Sequence, residues 1–257
     1  MSIRLYSLYS GSKGNAFLIS TPDGAILIDA GRTAKKLTAA LAEVGVSIDE
    51  IKAIFLTHEH NDHISALPVL LKRHPIPVHL PLACAYKLES EPSVAPCLST
   101  HPPIHTETVH GITVTSFPTP HDSHGSVGYR IEIPTDEGVF RLGYATDVGY
   151  VTREIEEGLS GCDAIVLESN HDPDMLANGP YPYDLKLRIA SRRGHLSNPD
   201  CAEFASRLCQ NGTKRILLAH LSEENNTPDL AFDECFSSVG CDGVRLCVAA
   251  PDHITEL

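Results

Sequence analysis

Ile3-Arg4-Leu5-Tyr6-Ser7-Leu8 alternates apolar and polar side chains, the period of a strand with one buried face. Two further runs, Ala16 to Ser20 and Ala25 to Ile28, flank the turn residues Thr21-Pro22-Asp23-Gly24. The second of these is wholly apolar, as in a strand covered on both faces. The period then changes. Between Thr33 and Val44, Leu37, Ala40, Leu41 and Val44 recur at helical spacing, Lys35 and Lys36 face outward, and Gly45 is placed to cap the helix. Ala53-Ile54-Phe55-Leu56 is another buried strand, and Ile64 to Arg73 reads as a helix with Pro68 in its first turn. Between residues 75 and 110 seven prolines interrupt any pattern, and no element is assigned. The β pattern resumes in Ile112 to Phe117, Val127 to Ile133 and Val139 to Ala145, the last two joined by Asp136-Glu137-Gly138. A helix from Thr152 leads to the strand Ala164 to Leu167. The chain closes with a helix over Pro199 to Cys209, the strand Arg215 to Ala219, a helix at 228–238 and a strand at 244–249. No linker or composition break divides it, so residues 1–257 are expected to form one α/β domain.

The chemistry gathers where strands stop. Ala53 to Leu56 runs straight into Thr57-His58-Glu59-His60-Asn61-Asp62-His63, whose three histidines and Asp62 carboxylate are of the kinds that borderline metals prefer. His121, Asp147 and His220 follow other predicted strands, with His124 three residues beyond His121 as a rival for the same place. Asp29 follows the apolar strand Ala25 to Ile28. Strand ends converge on one edge of an open α/β sheet. These ligands therefore suggest a two-metal cluster: three imidazoles on one ion, Asp62, His63 and another histidine on the second, and an acid bridging both. Such a pair, about 3.5–4 Å apart, lowers the pKa of a shared water to about 7 and clamps a phosphoryl or carbonyl oxygen. The expected reaction is hydroxide attack on an ester, amide or phosphodiester. His74, His79, His101, His105 and His110 end no confident strand and read as surface or core histidines. In the small-residue loop Ser10 to Asn15, backbone amides can approach an anion.

Composition narrows the partners. The net charge of −13 argues against non-specific coating of nucleic acid. One basic stretch, Lys186, Arg188, Arg192 and Arg193, could still meet a phosphate backbone or could be a solvated helix face. No apolar run approaches a membrane span and the N-terminus lacks the regions of a signal peptide, so no membrane partner and a cytoplasmic location are expected. Eight cysteines without a C-x-x-C pair read as mostly buried, reduced thiols.

The motif T-H-x-H-x-D-H resembles the signature of the metallo-β-lactamase superfamily. The resemblance implies an αββα sandwich of two mixed sheets flanked by helices. It places His58, His60 and His121 on the first metal, Asp62, His63 and His220 on the second, and Asp147 between them. The ions would be zinc or manganese, with iron possible, and Asp62 would also act in catalysis. Asp29 would buttress the metal loop without being a ligand. His121 is favoured over His124 because it precedes Gly128-Tyr129 in the H-x6-G-Y pattern of phosphodiesterase members. Glu168 and His195, in Gly194-His195-Leu196-Ser197-Asn198, resemble the acid and histidine with which tRNase Z-type enzymes protonate a leaving oxygen. The span from Asp147 to His220 is too short for an inserted β-CASP domain of the RNase J kind, and no long tRNase Z-type arm is evident.

Over almost its whole length the chain is most similar to the YycJ/WalJ group. The particular pieces are Glu168-Ser169-Asn170-His171-Asp172, Asn178-Gly179-Pro180-Tyr181-Pro182 and His220-Leu221-Ser222-Glu223-Glu224-Asn225-Asn226. That group is associated with 5′→3′ exonuclease action on DNA. The resemblance implies substrate contacts at Ser12, Asn15, Asn170, Arg193, Ser222 and Asn226. Two other readings stay open: a small-molecule hydrolase of thioester or cyclic phosphodiester type, and a mononuclear iron oxidoreductase of the persulfide dioxygenase kind. Oligomeric state is not legible.

Overall fold

The structure, a computed structural model, describes residues 3–240 and 243–257; the expectation for Cys241 and the reading of Met1 and Ser2 fall outside them. The first half of the chain builds β1 (Arg4–Tyr9), β2 (Ala16–Thr21), β3 (Gly24–Ile28), β4 (Ile51–Phe55), β5 (Val78–Pro81) and β6 (Leu98–His101). The second half builds β7 (Thr106–Val109), β8 (Ile112–Pro118), β9 (Val127–Thr135), β10 (Gly138–Ala145), β11 (Ala164–Glu168), β12 (Arg215–Ala219) and β13 (Arg245–Val248). Finally β14 (Thr255–Glu256) returns to pair with β1 in the first sheet. Both sheets share one plan. An antiparallel meander, β1 to β3 or β7 to β10, passes into parallel strands, β3 to β6 or β10 to β13.

Parallel neighbours need crossovers, and helices provide them. They are α1 (Ala34–Glu43), the short α2 (Asn61–Ile64) and α3 (Leu67–Leu71), α4 (Arg153–Leu159), α5 (Pro173–Asn178), α6 (Tyr183–Ile189), α7 (Asn198–Gln210) and α8 (Pro228–Val239). Because each parallel strand is covered twice, its side chains divide by parity. Ile26 and Ile28 face the other sheet, meeting Tyr129, Ile131, Tyr144 and Val166, while Leu27 and Ile54 face Leu37 and Leu41 of α1. Ile165, Leu167 and Ile216 pack under α4, α7 and α8 against Ile155, Phe204 and Leu208. The result is the αββα sandwich, with α4, β11, α5, α6, α7 and β12 filling the span from Asp147 to His220. Among the described residues no helix is long and apolar enough to cross a membrane. Cys84, Cys162, Cys201, Cys209 and Cys235 are buried, and Cys97 and Cys247 half-buried.

Three stretches of the chain differ from the sequence pattern. The expected helix from Ile64 to Arg73 is broken in two. Its would-be bond from Ala66 N–H to the Asp62 carbonyl is replaced: Ala66 donates to Ala30, and the Asp62 carbonyl accepts from Asn15. The helix thus gives up a turn to hold the loops that follow β1 and β3. Strands β5, β6 and β7 lie in the proline-rich region that carried no assignment; β6 and β7 are edge strands, where proline is tolerated. α5 and α6 lie outside the elements the pattern predicts, and the latter carries Lys186 and Arg188.

Candidate metal centre

The carboxyl ends of β3, β4, β10, β11 and β12 open on one edge of the sandwich. Three residues there leave the strands in left-handed backbone: Asp29 at φ 62°, Asp147 at 59° and His220 at 57°. For a residue other than glycine this conformation costs roughly 1–2 kcal/mol, and such strain concentrates at functional sites. It turns each side chain sharply back toward the edge.

Asp29 is wholly buried and organises the loop after β4. Its carboxylate accepts the Thr57 amide at 2.9 Å and the His63 Nδ1–H at 2.8 Å. The Thr57 hydroxyl sits 3.0 Å from Asp29 Oδ2 and 3.0 Å from His58 Nδ1. Tied at Nδ1, both imidazoles aim Nε2 into the cluster, the arrangement typical of metal-binding histidines. Gly31 is required by proximity, since an added Cβ would lie 2.0 Å from the Asp62 carbonyl oxygen.

Opposite this loop, His121 Nδ1 donates to the Gly194 carbonyl at 3.1 Å, and His121 Nε2 lies 3.4 Å from His60 Nδ1. Asp147 stands between two trios of potential ligands. Its Oδ1 is 3.6 Å from both His121 Nε2 and His220 Nε2, and its Oδ2 is 3.4 Å from His63 Nε2. Asp62 Oδ2 lies 3.3 Å from His63 Nε2 and 3.6 Å from His220 Nε2. Ligand atoms of His58, His60 and His121, and those of Asp62, His63 and His220, each fall within 4.8 Å of one another.

The residues present fit a cation. His58 Nε2, His220 Nε2 and Asp147 Oδ2 are buried with no hydrogen-bond partner, a costly state for three neighbouring polar atoms. Burial, followed by the crowding of His63, His121 and His60, pushes His58 well below its usual value, so its lone pair is available. Imidazole and carboxylate together suit zinc, manganese or iron. The centre is a divalent-metal site.

Beside it lies a second hub. Glu168 is fully buried, and its Oε1 is 2.8 Å from both His195 Nδ1 and His220 Nδ1. Its Oε2 accepts the backbone amides of Val148 and Leu196 at 2.8 and 3.1 Å. The group Asp147, Glu168, His195 and His220 is compact enough to hold an ion. However, both imidazoles spend Nδ1 on Glu168, so it is a hydrogen-bonded anchor. Glu168 is held well below the usual carboxylate range: burial would raise it, but the charge and hydrogen bond of His195, with His220, prevail. His195 is raised in turn, because Glu168 outweighs the loss from burial.

The structure brings all seven expected ligands together and distinguishes the two rivals. His121 joins the cluster, whereas the His124 side chain is 62% exposed and bonds Glu59. The expected substrate contacts divide. Ser12, Asn170 and Ser222 line a cavity of about 170 Å³ with His195 and His220. Asn15 and Asn226 are corrections. Asn15 is buried behind the ligands, its orientation set by both backbone groups of Gly11, and it directs its NH2 to Asp62 Oδ2 and His63 Nε2. Asn226 is 4% exposed and satisfied by Ser169, Asn198 and Thr227. The basic stretch is likewise dispersed. Arg193 holds the His121 and Ser123 carbonyls, Lys186 bonds the Ala177 carbonyl, and Arg192 lies over Tyr150. Only Arg188 of the four lines the cavity, paired with Asp122. Sequence reasoning missed Asp122 and Tyr181 as cavity residues. Asp122 was discoverable as the acid adjoining His121; its Oδ1 is 3.2 Å from His121 Nε2.

The site makes metal affinity pH-dependent. Burial alone would depress His220, but Asp147, with Asp62 and Glu168, lifts it well above its ordinary value of 6.5. In metal-free protein this protonated ring contributes stability fully present below pH 6.5 and lost as pH rises through the raised value. Ligation needs the neutral ring, so loading must expel that proton. The rise in Tm on adding zinc to chelator-treated protein should therefore grow from about pH 6 to about pH 8.5. Thermal melts across that range check this; a gain that shrinks with pH contradicts it.

A family model described as the beta-lactamase superfamily domain matches residues 25–221. The chain is 37% identical over 228 residues to exodeoxyribonuclease WalJ of Streptococcus pneumoniae, covering 87% of this chain and 83% of that one. It is 33% identical over 235 residues to exodeoxyribonuclease YycJ of Bacillus anthracis, covering 90% and 87%. Among solved structures, the metallo-β-lactamase fold protein YhfI of Bacillus subtilis superposes with a TM-score of 0.73 at 18% identity, over 100% of both chains. Zinc-bound PqqB of Methylobacterium extorquens gives 0.72 at 18% identity, over 99% of this chain and 100% of that one. At such identity the two structures bear on fold alone.

Proposed function

Because this chain belongs to the β-lactamase superfamily and is a metallohydrolase, we propose that it is a nucleic-acid phosphodiesterase, a 5′→3′ exonuclease acting on DNA. The observation that carries the reading is the adjacency of the ligand cluster to an imidazole that is not needed as a ligand. His195 is anchored at Nδ1 by Glu168 and reaches the cavity lined by Ser12, Asn170 and Ser222. Hydrolysis at phosphorus expels a sugar alkoxide, which needs a proton.

His58, His60 and His121 would hold one ion and Asp62, His63 and His220 a second, with Asp147 shared. Two divalent ions, zinc or manganese, would supply hydroxide near neutral pH and a positive clamp for phosphoryl oxygens. The protein does the rest. Asp29 fixes the His63 ring at Nδ1 and Gly194 the His121 ring, and Asn15 lies against Asp62 Oδ2 and His63 Nε2. Glu168 keeps His195 protonated, so its Nε2–H can be given to the departing oxygen; activity should fall as pH rises through the raised His195 value. Arg188 is the arginine that lines the cavity, and it would meet a phosphate once Asp122 releases it.

The engagement of the other basic side chains favours, as a second reading, a hydrolase of small phosphodiesters or thioesters. An assay on 5′- and 3′-labelled single- and double-stranded DNA separates them, with zinc or manganese restored after chelation and His60→Ala as control. Metal-dependent release of nucleotides from the 5′ end, absent in the variant, is expected. Intact DNA beside turnover of a small phosphodiester or thioester would overturn the proposal.

A further inference from the structure

Where the two sheets meet at their β6 and β7 edges, a second set of histidines comes together that shares no residue with the catalytic cluster. The sequence pattern gave these histidines no common purpose. His79 lies on β5, His101 ends β6, and the link Pro102-Pro103-Ile104-His105 crosses to β7, which carries Glu107. His79 Nδ1 is 3.0 Å from His101 Nε2, and one ligand atom from each of His79, His101 and Glu107 lies within 4.8 Å of the others. Ligand nitrogens around zinc at about 2.1 Å stand roughly 3.4 Å apart, so small side-chain rotations close this set on an ion.

The surroundings support ligation. His105 stacks on His101 at 3.8 Å and places its Nε2 3.5 Å from Glu107 Oε2, a position from which it orients the carboxylate. His79 is 9% exposed and stacks on Phe55, which fixes its ring. Burial, then the neighbouring imidazole charge, lowers both His79 and His101 and so favours the neutral rings that ligation needs. An ion would replace the hydrogen bond between them and the contact of Ser99 Oγ with His101 Nε2 at 3.2 Å. Glu107 stays ionised although burial opposes it, through His105 and the Thr108 amide. A cavity of about 20 Å³ lined by His79, Pro81, His101, His105 and Tyr129 has room for one water as a further ligand.

We infer that His79, His101 and Glu107 form a separate zinc-class metal site that clamps the first sheet to the second across the β6–β7 link. Two imidazoles and a carboxylate are a complete protein donor set for zinc, with solvent in the remaining position. The ion would tie β5 and β6, already paired in the first sheet, to β7 at the edge of the second.

The test is zinc stoichiometry. Protein stripped by chelator, reloaded with excess zinc and desalted would be measured by elemental analysis. Wild type should hold one zinc per chain more than His101→Gln. Glu107→Gln, on an exposed edge strand where the fold tolerates it, should lose the same ion. The rate on a chromogenic phosphodiester, set at the other cluster, should be unchanged in both. Equal zinc in wild type and both variants would overturn the site. Loss of zinc together with loss of turnover would place the missing ion in the catalytic cluster and overturn it equally.

Discussion

Asp62→Ala is expected to reduce hydrolysis to the level of the enzyme-free control and to lower retained metal by about one ion per chain. The Asp62 carboxylate faces the Nε2 atoms of His63 and His220 at 3.3 and 3.6 Å, a second acid beside Asp147, which lies 3.4 and 3.6 Å from the same two atoms. Burial would raise its pKa, but His63 and His220 together hold it far down, so it is a permanent anion in the site. The substitution keeps the Asp62 backbone carbonyl, which receives the Asn15 backbone N–H at 2.7 Å, and removes only the side-chain oxygen that accepts from Asn15 Nδ2 at 3.2 Å. A folded, metal-deficient, inactive variant is thus the expected product. Elemental analysis beside a rate measurement decides it; full metal content with normal turnover would remove Asp62 from the centre.

His195→Ala should behave differently, retaining metal and fold while losing about 10²–10⁴-fold in rate, the usual worth of a general acid. That range corresponds to about 3–5 kcal/mol of transition-state stabilisation. The imidazole belongs to neither ligand trio, and its Nδ1 is committed to Glu168, which keeps three other donors when the ring is removed. The loss should also depend on the leaving group. An activated aryl phosphodiester, whose leaving oxygen needs no proton, should be far less affected than DNA. Wild-type rates on DNA in the variant would sink the assignment, and equal losses on both substrates would reassign His195 to the metal centre.

The parts of this site that could be read from sequence are those whose cause is local. His58, His60, Asp62 and His63 lie within six consecutive residues, and His121, Asp147 and His220 each follow a stretch whose own residues read as a strand. What escaped reading depends on distant backbone. The break between α2 and α3 exists because Asn15 and Ala30 compete for its hydrogen bonds. An asparagine in a small-residue loop can face solvent or core with the same sequence. Asn15 turns inward because Gly11 grips its amide at both ends, and Asn226 because Asn198 does. The basic stretch failed as a patch because its members serve carbonyls and a ring already present in the fold. His79 and His101 are 22 residues apart, and only the parallel pairing of β5 with β6 brings them side by side.

The left-handed backbone at Asp29, Asp147 and His220 bears on how any mutational scan of this enzyme should be read. Alanine at these positions removes a side chain and simultaneously meets a conformation it disfavours. A melting-temperature loss in Asp147→Ala would therefore overstate the worth of the carboxylate by as much as about 1–2 kcal/mol. Glycine accepts that backbone freely and asparagine more readily than alanine. The difference between the Gly and Ala variants at one site reports the conformational penalty less the extra entropy that glycine gives the unfolded chain, about 0.4–1 kcal/mol.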